Sequence, residues 1–211
     1  MQIGIDIGAT KIESVILDEN GAESFRERIE CPKNYIQTVE TIKQIVFSLD
    51  KKLNKKLNVG VCHPGIHSTH TGLVKNAPNC YWIEKKPLQK DLRDSLKREV
   101  FCENDANCFT LSEAIDGSCE HYKIVFGIIL GSGCGGGLVV DKKIVTGTNG
   151  LGGEWGHNQL PYLAAKKENL ETNILRESEI ESFISGHGLS KIFSKKYGKK
   201  LKAHEIFKAF R

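Results

Sequence analysis

Apolar and polar residues alternate along the first eighteen positions of the chain. In QIGIDI the residues Ile3, Ile5 and Ile7 share one face; GAT breaks the run, and KIESVILD resumes the alternation. That pattern predicts strand, tight turn, strand. ESFRERIE reads as a third strand with charged residues on one face. The period then changes. After a capping Asn34, the apolar residues Ile36, Val39, Ile42, Val46, Leu49 and Leu53 step by three or four, which predicts one face of a helix. LNVGVCHP returns as a buried strand, and residues 64–82 are broken by PG, TG and AP turns. Pro87 suits a first helical turn, so PLQKDLRDSLKRE reads as a helix. VFCEN follows as a short strand and DANCFTLSEAIDG as a helix ended by Gly117.

The layout then restarts. YKIVFGIIL is an apolar strand, GSGCGGG a glycine turn and LVVDKKIV a second strand. This repeats the strand, glycine turn and strand of residues 2–18. It reads either as an internal duplication or as two unrelated hairpins. A duplication predicts two α/β units with a cleft between them and a boundary near residues 117–121. The segments ESEIESFISGHGLSKIF and AHEIFKAFR read as helical.

Composition narrows the function classes. The chain has 211 residues, 39% apolar and 27% charged. That balance excludes a disordered tail or a low-complexity array. No apolar run approaches the ~18 residues of a membrane span. MQIGIDIGAT lacks the basic and apolar regions of a signal peptide, so a cytoplasmic address is expected. Seven scattered cysteines without a CxxC pair read as reduced, mostly buried residues. Thirty Lys+Arg against 26 Asp+Glu leave a net charge of +4, too small to argue for nucleic acid.

Four segments carry candidate chemistry. In Asp6-Ile7-Gly8-Ala9-Thr10-Lys11 a carboxylate ends a strand. Gly8 would let backbone N–H groups approach an anion, Thr10 adds a hydroxyl, and Asp6 could hold Mg²⁺. An ordinary hairpin with a turn-capping Asp is the alternative. The run Gly131-Ser132-Gly133-Cys134-Gly135-Gly136-Gly137 has more glycine than a hairpin needs, which suggests that phosphate approaches the backbone. It lacks the ending of a Walker A loop, and a strand follows it rather than a helix. Glu103-Asn104-Asp105-Ala106-Asn107 lies at a strand-to-helix junction, where Asp105 is either a helix cap or a general base. Glu154 and His157, three apart among glycines, suit recognition of several hydroxyls. His157 could instead be a metal ligand or a core histidine.

Taken in order, IGIDIGATK, VGVCHPG with TGLVKNAPN, ENDANCFTLSEA, GSGCGGG, GTNGLGGEWGHNQLP and ESFISGHG resemble the ROK family of sugar kinases, within the actin/hexokinase superfamily. The resemblance covers essentially the whole chain. It is closest to the bacterial fructokinase/mannokinase branch, with the N-acetylglucosamine kinase branch next. It implies two ribonuclease-H-like α/β lobes, mixed sheets with flanking helices, around a cleft. They would occupy residues 1–118 and 119–211, the second lobe truncated. It implies an ATP- and Mg²⁺-dependent transfer to a sugar 6-hydroxyl, with fructose as the expected acceptor. Asp105 corresponds to the catalytic base. Gly65, Asn79, Asn104, Glu154, His157 and Glu181 correspond to sugar contacts. Asp6, Gly8, Thr10 and Lys11 match one phosphate segment, and Gly131, Ser132 and Gly133 the other. Asp6 would reach Mg²⁺ through water. The partners implied are a hexose and ATP, without nucleic acid or membrane, and family members are commonly homodimers.

The chain departs from the family pattern in four places. Ala9 replaces a glycine, and Ser132 stands where Thr is usual. The zinc pattern CxCGxxGC before Glu181 is missing, with NLETNILRESEIE in its place, so no structural zinc is expected. The family's adenosine-binding GGG segment has no counterpart after residue 188, which points to a fragment or a shortened relative. Two other classes compete. A transcriptional repressor of the family would carry a winged helix before the first strand, for which Met1 leaves no room. A silent sugar-binding remnant would keep the sugar contacts without transfer.

Overall fold

The computed structural model describes residues 1–160 and 179–209. The described chain divides into two units. One is Met1–Cys108 with Gly147–Gly150; the other is Phe109–Thr146 with Leu151–Arg211.

The first unit is built on a mixed five-stranded sheet. The strands β1 (Gln2–Ile7), β2 (Lys11–Leu17) and β3 (Glu23–Glu30) are antiparallel neighbours. β4 (Asn58–His63) lies parallel to β1, and β7 (Val100–Asn104) parallel to β4, giving the order β3-β2-β1-β4-β7. Alternation decides the buried face: Ile3, Ile5 and Ile7 are each at most 2% exposed. Between β4 and β7 the short strands β5 (Ile66–His67) and β6 (Val74–Lys75) form a two-stranded ribbon.

Helix α1 (Tyr35–Leu53) starts where Asn34 accepts a hydrogen bond from Gln37 N, and ends at Asn54 in the left-handed region. Its buried residues are Thr38, Ile42, Val46 and Leu49. The expected apolar face included Ile36, which is 77% exposed instead. Thr38 takes that place because its hydroxyl donates to Pro32 O and Asn34 O, which lets a polar residue be buried without an orphaned group. Helix α2 (Leu88–Leu96) buries Leu88, Leu92 and Leu96, and stops at Lys97 in the left-handed conformation. The helix expected through residue 99 therefore ends three residues earlier. Arg98 holds this corner. Its guanidinium pairs with both oxygens of Asp50 and donates to Leu57 O at 2.7 Å, tying the end of α1 to the start of β4.

Helix α3 (Asp105–Ile115) begins in the first unit; its later turns belong to the second. There Ala114 packs with Val125 and Val139. The second unit's sheet has the order β10-β9-β8, from β8 (Ile124–Leu130), β9 (Cys134–Val140) and β10 (Lys143–Ile144). The expected glycine turn shrinks to residues 131–133. Gly135, Gly136 and Gly137 lie within β9, opposite Ile129, Ile128 and Gly127. The strand expected over LVVDKKIV is a hairpin, because Asp141 and Lys142 both take positive φ. β8 pairs only with β9 among the described residues, and Ile124, Phe126, Ile128 and Leu130 along it are 46–68% exposed.

After a 3₁₀ turn at Trp155–His157, the chain resumes at Glu179. Three helices follow: α4 (Glu181–Ile184), α5 (Gly186–Tyr197) and α6 (Ala203–Ala209). Ser185, which caps α5 through Gly188 N, interrupts the continuous helix expected there. The expected helical segments also included residues 177, 178, 210 and 211, which lie outside the described residues, as does most of NLETNILRESEIE. No described helix is long and apolar enough to cross a membrane.

Candidate active site

In the first unit the candidate residues gather at the carboxyl ends of parallel strands, where open α/β sheets bind ligands. Register sets them side by side. Asp6 of β1 pairs with Cys62 of β4, Cys62 with Glu103 of β7, and His63 with Asn104.

Asn104 is the structural centre. Its Oδ1 accepts from Ala106 N at 2.9 Å and Asn107 N at 3.1 Å, so it is the side chain that caps α3. Its Nδ2 donates to Gly65 O at 2.9 Å. The two-donor cap of α3 is made by the neighbouring Asn104, with Asp105 sharing the Ala106 N–H. Asp105 Oδ1 accepts from Ala106 N at 2.9 Å, and the residue's own backbone N–H also donates to its carboxylate. Burial pushes the Asp105 carboxyl above the usual range; the Ala106 N–H opposes this, and the nearby Asp6 carboxylate adds to it.

Glu103, which the sequence reading did not single out, braces this loop. Its Oε1 accepts from Asn104 N at 2.8 Å and from Asn107 Nδ2 at 3.1 Å. Gly65 has φ +85°, and a Cβ there would lie 2.5 Å from Lys75 O, so only glycine fits. Behind it His63 is fully buried, with Nδ1 donating to Pro64 O at 3.0 Å; burial pushes its pKa down. Asn79 lies exposed on a 3₁₀ turn, Pro78–Cys80, and takes no part in this network.

The β1–β2 turn carries Gly8, Thr10 and Lys11. Gly8 N donates to Lys11 O at 2.8 Å, and a Cβ on Gly8 would stand 3.1 Å from that oxygen. Thr10 and Lys11 are exposed. Asp6 Oδ1 accepts from the Cys62 thiol at 3.2 Å. Burial contributes to raising the Cys62 thiol, after its hydrogen bond to Cys108, and the Asp6 charge raises it further.

In the second unit the excess of glycine finds a physical explanation. A Cβ on Gly136 would lie 2.6 Å from Gly153 O and from Trp155 Cδ1, and a Cβ on Gly133 would lie 2.6 Å from Glu181 Oε2. Trp155 Nε1 donates to Gly135 O at 2.9 Å. Much of the glycine therefore serves internal close packing. Gly131 differs: a Cβ there meets nothing within 4 Å. Glu181 is bound to the same turn, its Oε2 accepting from Cys134 N at 2.6 Å. Gly131 and Ser132 border a depression of about 840 Å³, lined also by Gly186, His187, Lys200 and Lys202. Its open glycine turn and basic side chains suit a phosphorylated ligand.

Glu154 and His157 flank the 3₁₀ turn, with His157 Nε2 4.0 Å from Glu154 Oε2. On its other side His157 Nδ1 stands 3.2 Å from Glu179 Oε2. Glu179 was also missed in the sequence; its only signal was a position two residues before Glu181. Among the described residues no group of three or more His, Cys, Asp or Glu side chains is arranged to hold a metal ion.

Comparison with known proteins supplies the decisive observation. The sequence profile described as the ROK family matches residues 2–211. The chain belongs to the ROK family. It is 38% identical over 217 aligned residues to the N-acetyl-D-glucosamine kinase of Histophilus somni, covering all of this chain and 71% of that protein. The protein of the same name from Pectobacterium carotovorum is 35% identical over the same shares. These relatives are named for N-acetylglucosamine, the acceptor held second above; fructose, expected first, is not supported.

Among solved structures, the ROK hexokinase from Thermus thermophilus superposes with a TM-score of 0.84 at 23% identity, covering 99% of this chain and 68% of that one. This likeness establishes the fold. A ROK glucokinase from Streptomyces griseus, solved with glucose and AMPPNP, has a TM-score of 0.72 at 26% identity, covering 93% of this chain and 62% of that one.

Proposed function

We propose that this chain is an ATP-dependent sugar kinase that transfers a phosphoryl group to the 6-hydroxyl of N-acetyl-D-glucosamine. Sugar kinase names run through its relatives, and the N-acetylglucosamine kinases match it over their shared length at 35–38% identity. The observation that carries the chemistry is the state of Asp105. It is held at the mouth of parallel strands by a neighbour that does the capping, and it carries a raised carboxyl pKa. A base poised upward from the ordinary carboxylate range accepts a hydroxyl proton more readily near neutral pH.

In this reading Asp105 takes the proton of the acceptor hydroxyl as that oxygen attacks the γ-phosphorus and the bond from the γ-phosphorus to the bridging oxygen breaks, releasing ADP. Asn104 and Glu103 keep Asp105 in place. Gly65, Asn79, Glu154, His157 and Glu181 contact the remaining hydroxyls, with Asn104 contributing its second amide hydrogen. Glu181 has one oxygen committed to Cys134 N and offers the other. Gly8, Thr10, Lys11, Gly131, Ser132 and Gly133 belong to the phosphate segments. Asp6 fits Mg²⁺: it is exposed, it is an oxygen donor, and its charge is felt at Asp105. Mg²⁺ bound with ATP supplies neutralisation of phosphate charge, which carries much of phosphoryl-transfer catalysis. The reading includes lobes over 1–118 and 119–211, a cytoplasmic address and a homodimer.

The test is ADP release by the full chain with Mg-ATP and a panel of N-acetylglucosamine, N-acetylmannosamine, fructose, mannose and glucose. The expected result is fastest turnover with N-acetylglucosamine, abolished in Asp105→Ala. Preference for fructose would overturn the acceptor. Thermal stabilisation by sugar without ADP release would replace transfer with sugar binding alone.

A further inference from the structure

We propose that Glu179 is a positioning residue for His157, holding the imidazole with its proton on Nδ1 so that Nε2 is the acceptor offered to a sugar hydroxyl. The inference rests on the reading of His157 as a sugar contact. Its geometry is independent of that reading.

The two side chains meet across 22 residues of sequence, yet the backbone fixes both. Glu179 forms an isolated antiparallel bridge with Gln159, and Ile180 N donates to Asn158 O at 2.9 Å. His157 closes the 3₁₀ turn whose first residue, Trp155, is anchored to Gly135 O. Within that frame Glu179 Oε2 lies 3.2 Å from Nδ1, while Glu154 Oε2 stands 4.0 Å from Nε2. Among the described residues Nδ1 is therefore the nitrogen held at hydrogen-bond distance by a carboxylate, and Nε2 is not. A carboxylate on one ring nitrogen keeps the proton there and leaves the other nitrogen as an acceptor.

The His157 side chain is 57% exposed and that of Glu179 30% exposed. A hydrogen bond so exposed adds little to stability, so the consequence of the contact is ring orientation and tautomer. The sequence sharpens the point. Glu179 stands in the stretch where the ROK pattern would carry cysteines, and this chain has none there. The carboxylate is the group that the structure presents to Nδ1.

The experiment uses the full chain with Glu179→Leu, which removes the acceptor, and Glu179→Gln, which keeps an acceptor oxygen. Long-range ¹H–¹⁵N NMR reads the His157 tautomer, with the resonance assigned from its loss in His157→Asn. Calorimetry reads N-acetylglucosamine affinity, and thermal melting checks the fold. The expected result has four parts. The wild-type ring is protonated on Nδ1. Glu179→Leu moves the proton to Nε2 and weakens sugar binding about tenfold or more. Glu179→Gln restores most of both. Melting changes little in either variant. An unchanged tautomer in Glu179→Leu overturns the proposal, as does wild-type sugar affinity in that variant. If the wild-type chain binds no sugar, the functional reading fails instead, and the tautomer still decides whether Glu179 positions His157.

Discussion

Asn104→Ala tests whether one amide side chain frames the first unit's candidate site. The substitution removes an acceptor from two backbone N–H groups, Ala106 and Asn107, and a donor from Gly65 O. Loss of a helix N-cap costs about 0.5–2 kcal/mol. Asn104 is only 8% exposed, so water does not readily replace the bond to Gly65 O, and stranding a buried acceptor costs about 1–3 kcal/mol. Together these give about 1.5–5 kcal/mol. For a chain of this size each kcal/mol lowers the melting temperature by about 2–4 °C, so a drop of about 3–20 °C is expected. Asn104→Asp separates the two contributions. It keeps the capping oxygen but turns an oxygen toward Gly65 O and places another charge beside Asp105. Its helix cap survives, the Gly65 bond does not, and ADP release falls with both variants. The assay is calorimetric melting of wild type and both variants in one buffer. A melting temperature for Asn104→Ala within about 2 °C of wild type would refute the framing role.

Four further outcomes follow from the same structure. The folded state holds the Asp105 proton more tightly than the unfolded chain does, whose reference value is 3.8. The cost of ionising Asp105 is therefore absent below that value and grows as pH rises through the raised folded value. Asp105→Asn should accordingly unfold at higher urea than wild type near about pH 7.5 and converge with it toward about pH 4, while losing ADP release; equal midpoints near neutrality would contradict the burial argument. Gly136→Ala drives a methyl to 2.6 Å from Gly153 O and should destabilise by about 1–3 kcal/mol. Gly131→Ala enters open space, leaves melting unchanged and weakens only nucleotide binding; the reverse ranking in melting would show that the turn is packed differently. Arg98→Met leaves Asp50 charged and 17% exposed at the α1–β4 corner, and should cost about 3–5 kcal/mol by denaturant titration, whereas breaking the exposed Lys90–Asp94 pair should shift the midpoint far less.

Much of the first unit was legible because period two and period 3.6 separate cleanly there. The alternating isoleucines of β1 and the Asn34 cap needed no tertiary information. The misassignments came from residues placed by specific contacts rather than by hydropathy. Thr38 is buried because two carbonyls before α1 receive its hydroxyl, a fact no hydropathy pattern contains. The glycines of residues 133–137 suggested a wide turn. In the fold Gly136 is small to admit Trp155, and Gly133 to admit Glu181. Asp141-Lys142 lacks the Asn-Gly or Asp-Gly signal of a tight hairpin. Lys142 Nζ bonds to Ala114 O and Glu120 O, so tertiary contacts hold its positive φ. The candidate site divides in the same way. Asp105, Asn104 and Gly65 were readable from motif order, whereas Glu103 and Glu179 act through geometry alone.

The outer strand of the second unit has a consequence for handling the protein. Among the described residues β8 is paired along one side only, and it carries four exposed apolar side chains, Ile124, Phe126, Ile128 and Leu130. Proteins usually blunt such a border with lysine, proline or a bulge. None of these interrupts IVFGIIL; Lys123 stands just before it. Colloidal behaviour should therefore be governed by this one ribbon. Light scattering should rise with protein concentration and with added sulfate, which strengthens apolar burial. A single Ile128→Lys change, set in the middle of the row, should keep the solution clear.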